Sequence, residues 1–482
     1  MLRRSLLAVA LTWAMGFGPR AQAQFETRAS ISPPSLPHAG AVAVGDFSGD
    51  GVLDLAVIGS GSAEVEILLG NGDGTFRQAT TYGTAVEPSD IVAASLRNNG
   101  TLDLVFSGFQ DDNIWVMLGN GDGTFQPAVA YPVTAKPYMV VLEDFTGSGN
   151  LDIAAPEGYN ESGTYDCNCV EVLPGNGDGT FGAPIPTLLP YSLTAYEIVA
   201  GDFNNDSRLD LAAAGEAFPN YEVAILLGNG DGTFDADGDY LIDGTPASIT
   251  DGYFTSSKKK LDLAVVPGLQ VLLGNGNGTF QPAVDYDANT FPVCVIAQDF
   301  NGDGRVDLAV ADGGSNGGQL PGVTVYNGNG DGTFQNGVFY HVGADEGGND
   351  VAAGDFNGDG KLDLVVVNGV NSIVTTLLNT GVVSFSPTTP LNFEKQAVGK
   401  TSAPLTVTLT NTGTTELKIQ SMKASAEFAM TSTCGARVAP GADCTISTTF
   451  SPTKQGVQQG TISIIDNASS KPQVIELLGT GT

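Results

Sequence analysis

Four stretches of this chain space oxygen-bearing side chains as a hard-cation site does. At loop positions 1, 3, 5 and 9 they carry Asp46, Ser48, Asp50 and Asp54; Asp202, Asn204, Asp206 and Asp210; Asp299, Asn301, Asp303 and Asp307; and Asp355, Asn357, Asp359 and Asp363. Position 7, held by Val52, Arg208, Arg305 or Lys361, offers a backbone carbonyl. Calcium takes six to eight hard oxygens at about 2.3–2.6 Å, and this spacing wraps them around one point. Three carboxylates brought within about 4 Å repel by about 4 kcal/mol per pair at an effective dielectric near 20; a bound divalent cation reverses that sign. The expectation is about four structural Ca2+ sites. A helical EF-hand is excluded, because the last ligand is an Asp at position 9 and strand-like sequence flanks the loop.

Three further copies of the loop are incomplete. In one, Ser95, Arg97 and Asn99 replace the acids and Asp103 survives. Another keeps Asp144 and Asp152 around Thr146 and Ser148, which leaves its occupancy open. The third has Lys258, Lys259 and Lys260 before Asp262 and one extra residue, so a basic side chain is expected to stand in for the ion. A separate run, Asp235, Asp237 and Asp239, reads as a solvated turn.

The elements that position these loops repeat. A second motif, G-N-G-D-G-T-F, ends at Phe76, Phe125, Phe181, Phe234, Phe280 and Phe334, with a decayed seventh copy from Asn379 to Phe385. The two motifs alternate at a spacing of 46 to 58 residues, which suits propeller blades rather than helical solenoids. In the first repeat, Ala41–Val44 enters the acidic loop and Leu53–Ile58 leaves it. Glu64–Leu69 alternates apolar and polar residues, and Asn71–Gly74 is a turn needing φ > 0 before a fourth strand towards Tyr82. Four strands per repeat and seven repeats predict a seven-bladed β-propeller over residues 24–383. Residues 24–34, through Phe25–Ile31, should supply the outer strand of the last blade and close the ring. Tyr82, Tyr131, Tyr240, Tyr286 and Tyr340, each six residues after a T-F phenylalanine, are expected to pack between blades.

The pairing of D-F-N-G-D-G-x-L-D, best seen at Asp355–Asp363, with G-N-G-D-G-T-F resembles the FG-GAP/VCBS repeats of integrin α chains and many secreted bacterial proteins. That resemblance covers roughly residues 25 to 385. It implies a propeller whose calcium loop joins the first two strands of each blade and plays a structural part.

From about Phe385 the pattern changes to short alternating strands, such as Thr406–Thr410 and Cys444–Phe450, that suit a β-sandwich over residues 384–482. Leu391–Phe393, Ala397–Gly399 and Cys444–Ile446 resemble the ASPM/SPD-2/Hydin or choice-of-anchor-D class of immunoglobulin-like modules. The fold class is therefore all-β: a propeller followed by an immunoglobulin-like sandwich. With no lipid-anchor or sorting signal read at Gly479-Thr480-Gly481-Thr482, surface attachment is not expected to be encoded there.

Residues 1–23 read as a secretory signal: Arg3 and Arg4, the apolar run Ser5–Phe17, and the small-x-small site Ala21-Gln22-Ala23. The chain carries a formal charge of −33, and cleavage there would leave 17 basic against 53 acidic residues, a charge of −36. Such a surface repels nucleic acid and attracts cations. No later segment is long and apolar enough to span a membrane. Cys434 and Cys444 are spaced for a hairpin disulfide, Cys167 and Cys169 form a C-x-C pair, and Cys294 is expected to be a buried free thiol.

Two functions follow from different classes. The favoured one is a secreted binding, cell-adhesion or scaffold module for an extracellular carbohydrate or protein, using the face opposite the acidic loops. That face should carry the long connections Pro156–Cys169, Gly215–Tyr221 with Phe218, and Asp312–Gly322. The alternative is a polysaccharide-active enzyme, a carboxylate glycosidase or calcium-assisted lyase. Against catalysis, the only histidines are His38 and His341, and the G-x-S-x-G match at Gly313–Gly317 lacks the following helix of a nucleophile elbow. No catalytic residue is assigned.

Overall fold

A computed structural model describes residues 25–482 apart from 34–35, 37–38, 60, 109–110, 158–167, 191–192, 289–290, 314–320, 343–347, 370–371, 380–382, 387–390, 412–415 and 468–472. The expected export signal, His38, Cys167, most of the G-x-S-x-G stretch and most of the longest connection lie outside the described residues. The chain divides into two compact units, with the boundary between Gly381 and Val382.

The first unit contains seven four-stranded antiparallel sheets among the described residues. The first is Ala39–Gly45, Asp54–Gly59, Glu64–Gly70 and Phe76–Gly83, in that order from the inside out. Asp54–Gly59 is buried at every position, whereas Phe76–Gly83 is largely exposed. A strand sandwiched between two neighbouring sheets must be apolar on both faces, which is why the middle strands read as unbroken apolar runs. The innermost strands touch in succession around the ring, and Gly348–Gly354 of the last sheet packs against Ala39–Gly45 of the first.

Closure follows the expected strand exchange. Phe25–Ile31 pairs antiparallel with Ile373–Asn379, from Phe25 opposite Asn379 to Ile31 opposite Val374. One expectation is corrected here. The decayed hairpin from Asn379 to Phe385 does not continue the last blade; Phe385 lies in Val383–Ser386, a strand of the second unit. The phenylalanine missing from the seventh blade is supplied by Phe25, whose ring meets Phe300 at 6.2 Å and Tyr340 at 5.3 Å, both edge-on. Phe125 meets Phe47 at 5.5 Å and Tyr82 at 6.0 Å in the same way. Tyr131, Tyr240 and Tyr286 likewise stand edge-on to Phe181, Phe280 and Phe334 of the next blade, so these tyrosines are inter-blade packing.

The second unit has a four-stranded and a five-stranded sheet. Between them Phe393, Phe428, Phe450, Val407, Ile446, Ile462 and Leu477 form the core. Cys434 and Cys444 are joined by a disulfide. Cys169 is also disulfide-bonded; Cys294 is free as expected, but half-buried rather than buried. No helix among the described residues is long and apolar enough to cross a membrane.

Candidate metal loops and the frame that holds them

Each complete acidic loop is folded by its own carboxylates. Asp46 accepts the amides of Gly49 at 2.7 Å and Gly51 at 2.9 Å, wrapping the loop around the position-1 side chain. Asp202 accepts the amides of Asp206 and Ser207, Asp299 those of Asp303 and Gly304, and Asp355 those of Asp359 and Gly360. At position 3, Asn204, Asn301 and Asn357 each take the amide of the position-5 aspartate. At position 5, Asp50, Asp206, Asp303 and Asp359 receive the amides of Val52, Arg208, Arg305 and Lys361 at 2.8–3.0 Å. Ser207 stands at φ 70° where the other three loops have glycine, a strained backbone for a residue with a Cβ.

The position-9 aspartates do something else. Asp54 is fully buried, and its two oxygens accept Phe47 and Ser48 on one side and Gly70, from the third strand, on the other. Asp210, Asp307 and Asp363 repeat this with Gly228, Gly328 and Asn379. So do the incomplete copies: Asp103 with Gly119, Asp152 with Gly175 and Asp262 with Gly274, each at 2.8 Å. This aspartate is a clamp present in every blade. An oxygen with two lone pairs can accept an amide and still face a cation, so clamp and ligand are compatible roles.

Burial raises the clamp carboxyls most where acids surround them. Desolvation, joined by the negative charges of Asp303 and Asp299, pushes Asp307 up to about 7, against the pull of the Gly328 amide. Asp363 reaches about 7 through burial and then Asp359 and Asp355; Asp210 reaches about 6 through burial and then Asp206.

The residue types are those calcium takes, side-chain oxygens at positions 1, 3 and 5 and a backbone carbonyl at position 7. Ser48 Oγ is buried without a hydrogen-bond partner inside the first loop. The hydroxyls of Thr146 and Thr255, at the same position of incomplete loops, are orphaned as well, so the unsatisfied hydroxyl belongs to the loop frame. What sets the complete loops apart is the acids around it. Among the described residues, no three carboxylate, imidazole or thiol groups converge into a closed cage. The loop oxygens face the loop's own amides instead.

The expected counter-charge is found, in a different loop. Arg97 reaches Asp103 through Nε at 3.2 Å and through Nη2, and also donates to the Gly119 carbonyl. Among the described residues, no ion pair joins Lys258, Lys259 or Lys260 to Asp262. Lys260 acts on that carboxyl at longer range, and burial is the larger influence, raising it.

The G-N-G-D-G-T-F turns lie on the same side of the ring as the acidic loops. Asp73 accepts both the amide and the hydroxyl of Thr75, while Gly74, at φ 80°, donates its amide to the carbonyl of Phe356 in the preceding blade. Gly123 does the same to Phe47, Gly232 to Phe145, Gly278 to Phe203 and Gly332 to Phe254, so these turns are stapled to a neighbouring loop.

One feature escaped the sequence reading. On the inner strands, Asp350 accepts the Val42 amide of the next blade, and Asp90 accepts that of Val140, both at 2.9 Å. Ser248 accepts the Val295 amide at 3.2 Å. Glu197 occupies the corresponding position of the fourth blade, and burial, then Asp90 and Asp350, hold its carboxyl well above the usual range. Cys294 sits there in the sixth blade and donates to Asp350 at 3.2 Å. The available signal was a residue able to hydrogen-bond, Asp90, Glu197, Ser248, Cys294 or Asp350, five positions before the loop in five of the seven repeats, where the first and third have Ala41 and Met139.

The family profile described as "FG-GAP-like repeat" matches residues 46–106, 96–155, 144–213, 259–310 and 299–366, more than half of the chain. The profile "Abnormal spindle-like microcephaly-assoc'd, ASPM-SPD-2-Hydin" matches residues 380–474. No curated protein matches. Among solved structures, BBS1N in complex with ARL6DN, soaked with lead, is similar at 12% identity and TM-score 0.50, covering 74% of this chain and 98% of that one. The seventh PapD-like domain of human CEP192 matches at 15% identity and TM-score 0.18, over 21% of this chain and 84% of that one. At such identity the BBS1N likeness speaks for the propeller fold alone.

Proposed function

This chain belongs to the FG-GAP-like repeat family, and from that premise we propose that it is an exported, calcium-stiffened binding or scaffold module. In this reading the four complete loops hold Ca2+ through Asp46, Ser48 and Asp50; Asp202, Asn204 and Asp206; Asp299, Asn301 and Asp303; and Asp355, Asn357 and Asp359. The ion supplies the positive charge that these acids lack and stiffens the rim. The ligand, an extracellular protein or carbohydrate, binds the opposite end of the ring.

The observation that carries this reading is the placement of exposed apolar side chains. Phe218, 88% exposed, tips the hairpin between Asp210–Ala217 and Asn220–Gly228, at the end away from the acidic loop. Leu241 and Leu188 are the penultimate residue and the last residue of the outer strands of the fourth and third blades, at that same end, and are 66% and 73% exposed. Large apolar groups gathered at one end of adjacent blades mark an interaction face.

Arrays of extracellular-matrix proteins and of glycans test the proposal. A bound class whose signal falls at least tenfold in Phe218→Asp, with the melting temperature unchanged, is the expected result. Binding that is indifferent to Phe218 and Leu241 overturns the assignment of the face. Turnover of a polysaccharide overturns the binding-module reading itself.

A further inference from the structure

Between Lys136 and Lys258 the chain carries one basic side chain, Arg208, against 20 acids. That arginine sits in the acidic loop, where its charge acts on Asp231. The far end of the fourth blade, which exposes Phe218 and Leu241, therefore has acids and apolar groups but no cation of its own. Glu222 and Leu241 are direct cross-strand partners there, and Asp239 stands opposite Ala224, so all three share one face of the sheet. Ala224 packs in a core with Ala154, Val170 and Val172 of the third blade, which turns that face towards the seam between the two blades. Glu222 is 8% exposed, and its Oε1 is buried without a hydrogen-bond partner. Its side chain enters no ion pair among the described residues. Burial, then the charge of Asp239, raises its carboxyl, as happens to an acid with no counter-charge. Asp239 itself is exposed.

We propose, on the reading of this end as the binding face, that Glu222 and Asp239 form a notch for a lysine or arginine of a partner protein, whose apolar neighbours pack on Leu241 and Phe218. A cation brought to Glu222 answers a carboxylate that the fold leaves unpaired, and partial burial makes such a pair stronger than one in open solvent. A long basic side chain suits the place, because its aliphatic stem can cross the exposed Leu241 while its head reaches the acids. An acidic glycan is repelled here, and a neutral one leaves Glu222 unanswered. A bare metal ion makes no use of Phe218 and Leu241, and among the described residues no third ligating group completes a cage around it. The formal charge of −33 draws any basic partner in from a distance; the notch selects the one whose cation is flanked by apolar groups.

The experiment is fluorescence anisotropy of labelled ten-residue peptides titrated with the full chain, at about 0.15 M salt, where screening over about 8 Å suppresses diffuse attraction. One peptide alternates lysine with leucine, a second lysine with serine, a third glutamate with leucine; a glucosamine tetramer serves as competitor. The lysine–leucine peptide alone should bind. Glu222→Gln and Asp239→Asn should each weaken it at least tenfold with melting curves unchanged, and so should Phe218→Ser and Leu241→Ser. Asp443→Asn, the same change of charge in the second unit, should leave it untouched. If binding falls in Phe218→Ser but not in Glu222→Gln or Asp239→Asn, or if the glutamate–leucine peptide binds equally, the notch is overturned and the binding face stands. Equal binding of the lysine–serine peptide, or displacement by the glucosamine tetramer, overturns the protein partner, since charge alone then suffices. Binding indifferent to all four substitutions overturns the face and the notch together. No binding of the lysine–leucine peptide overturns the notch and leaves the face to be decided by the Phe218→Asp arrays.

Discussion

Asp103 accepts the amide of Gly119 at 2.8 Å, sixteen residues further along the chain, in a loop that keeps no other carboxylate at its ligand positions. The same bond from Asp54 to Gly70 in a complete loop shows that the last aspartate of the motif ties the loop to the third strand, whatever else the loop holds. Asp103→Ala should therefore destabilise the propeller by about 3 kcal/mol, since it orphans buried amides and leaves the Arg97 guanidinium without its acid. Urea denaturation with and without calcium checks this. The loss should be equal in both conditions, and a loss confined to the calcium form would assign Asp103 to a metal instead.

Chelation should act on the complete loops alone. EDTA is expected to lower the melting temperature by several degrees, because an ion that binds only the folded state stabilises it by mass action. In the double variant Asp299→Asn, Asp355→Asn the bound calcium should fall by two and the EDTA effect should shrink. An unchanged melt, with metal removal confirmed by elemental analysis, counts against structural calcium.

The ring, its closing strand and the position of the loops were legible because a tandem repeat displays its own alignment. Residues equivalent to Asp54 recur in every copy, and strands buried on both faces announce themselves as apolar runs. What was not legible depended on contacts between copies. The seventh T-F phenylalanine was sought at Phe385, whereas its place is filled by Phe25, some 350 residues away in sequence, because closure joins the ends of the array. The clamp role of position 9 was hidden too: an aspartate in a ligand-like spacing carries the same letter whether or not it accepts backbone amides. Asp90, Asp350 and Cys294 gave no motif, since each acts alone in its strand and becomes a ring only when the blades are assembled.

Phe25 offers a direct test of closure. Its side chain is 6% exposed and packs edge-on against Phe300 and Tyr340. Phe25→Ala should cost about 3–4 kcal/mol, as emptying a buried aromatic site does. Limited proteolysis should then cut first near the last blade. A variant as stable as the wild type would show that the closing strand is dispensable.

The free thiol makes a kinetic prediction. Burial, then the negative charge of Asp350, raises the Cys294 thiol well above its ordinary value, so it stays protonated at pH 8. The thiolate is the reactive form, and an aromatic disulfide reagent should modify native protein at least tenfold more slowly than protein unfolded in urea. Asp350→Asn removes one of the opposing charges and should speed the native reaction.

A pair of acids outside the loops should set the pH dependence of stability. Glu157 is 1% exposed, and neither of its carboxyl oxygens has a hydrogen bond of ordinary geometry. Glu171, 1% exposed, accepts the Thr134 amide at 2.9 Å and the Thr134 hydroxyl. Burial first, then the charge of Glu171 and, more weakly, Asp112, pushes Glu157 up to about 9, against the pull of the Ala135 amide. A carboxyl raised on folding keeps its proton in the native state while the unfolded chain has lost it. Its contribution is therefore whole below about pH 4.5 and declines as the pH rises towards 9. Glu157→Gln, which stays neutral in both states, should match the wild type near pH 4.5 and exceed it by about 2 kcal/mol or more at pH 8. Urea denaturation of both proteins across that range measures the difference. Parallel curves would mean that Glu157 is ionised in the folded protein, held by a cation rather than by a proton.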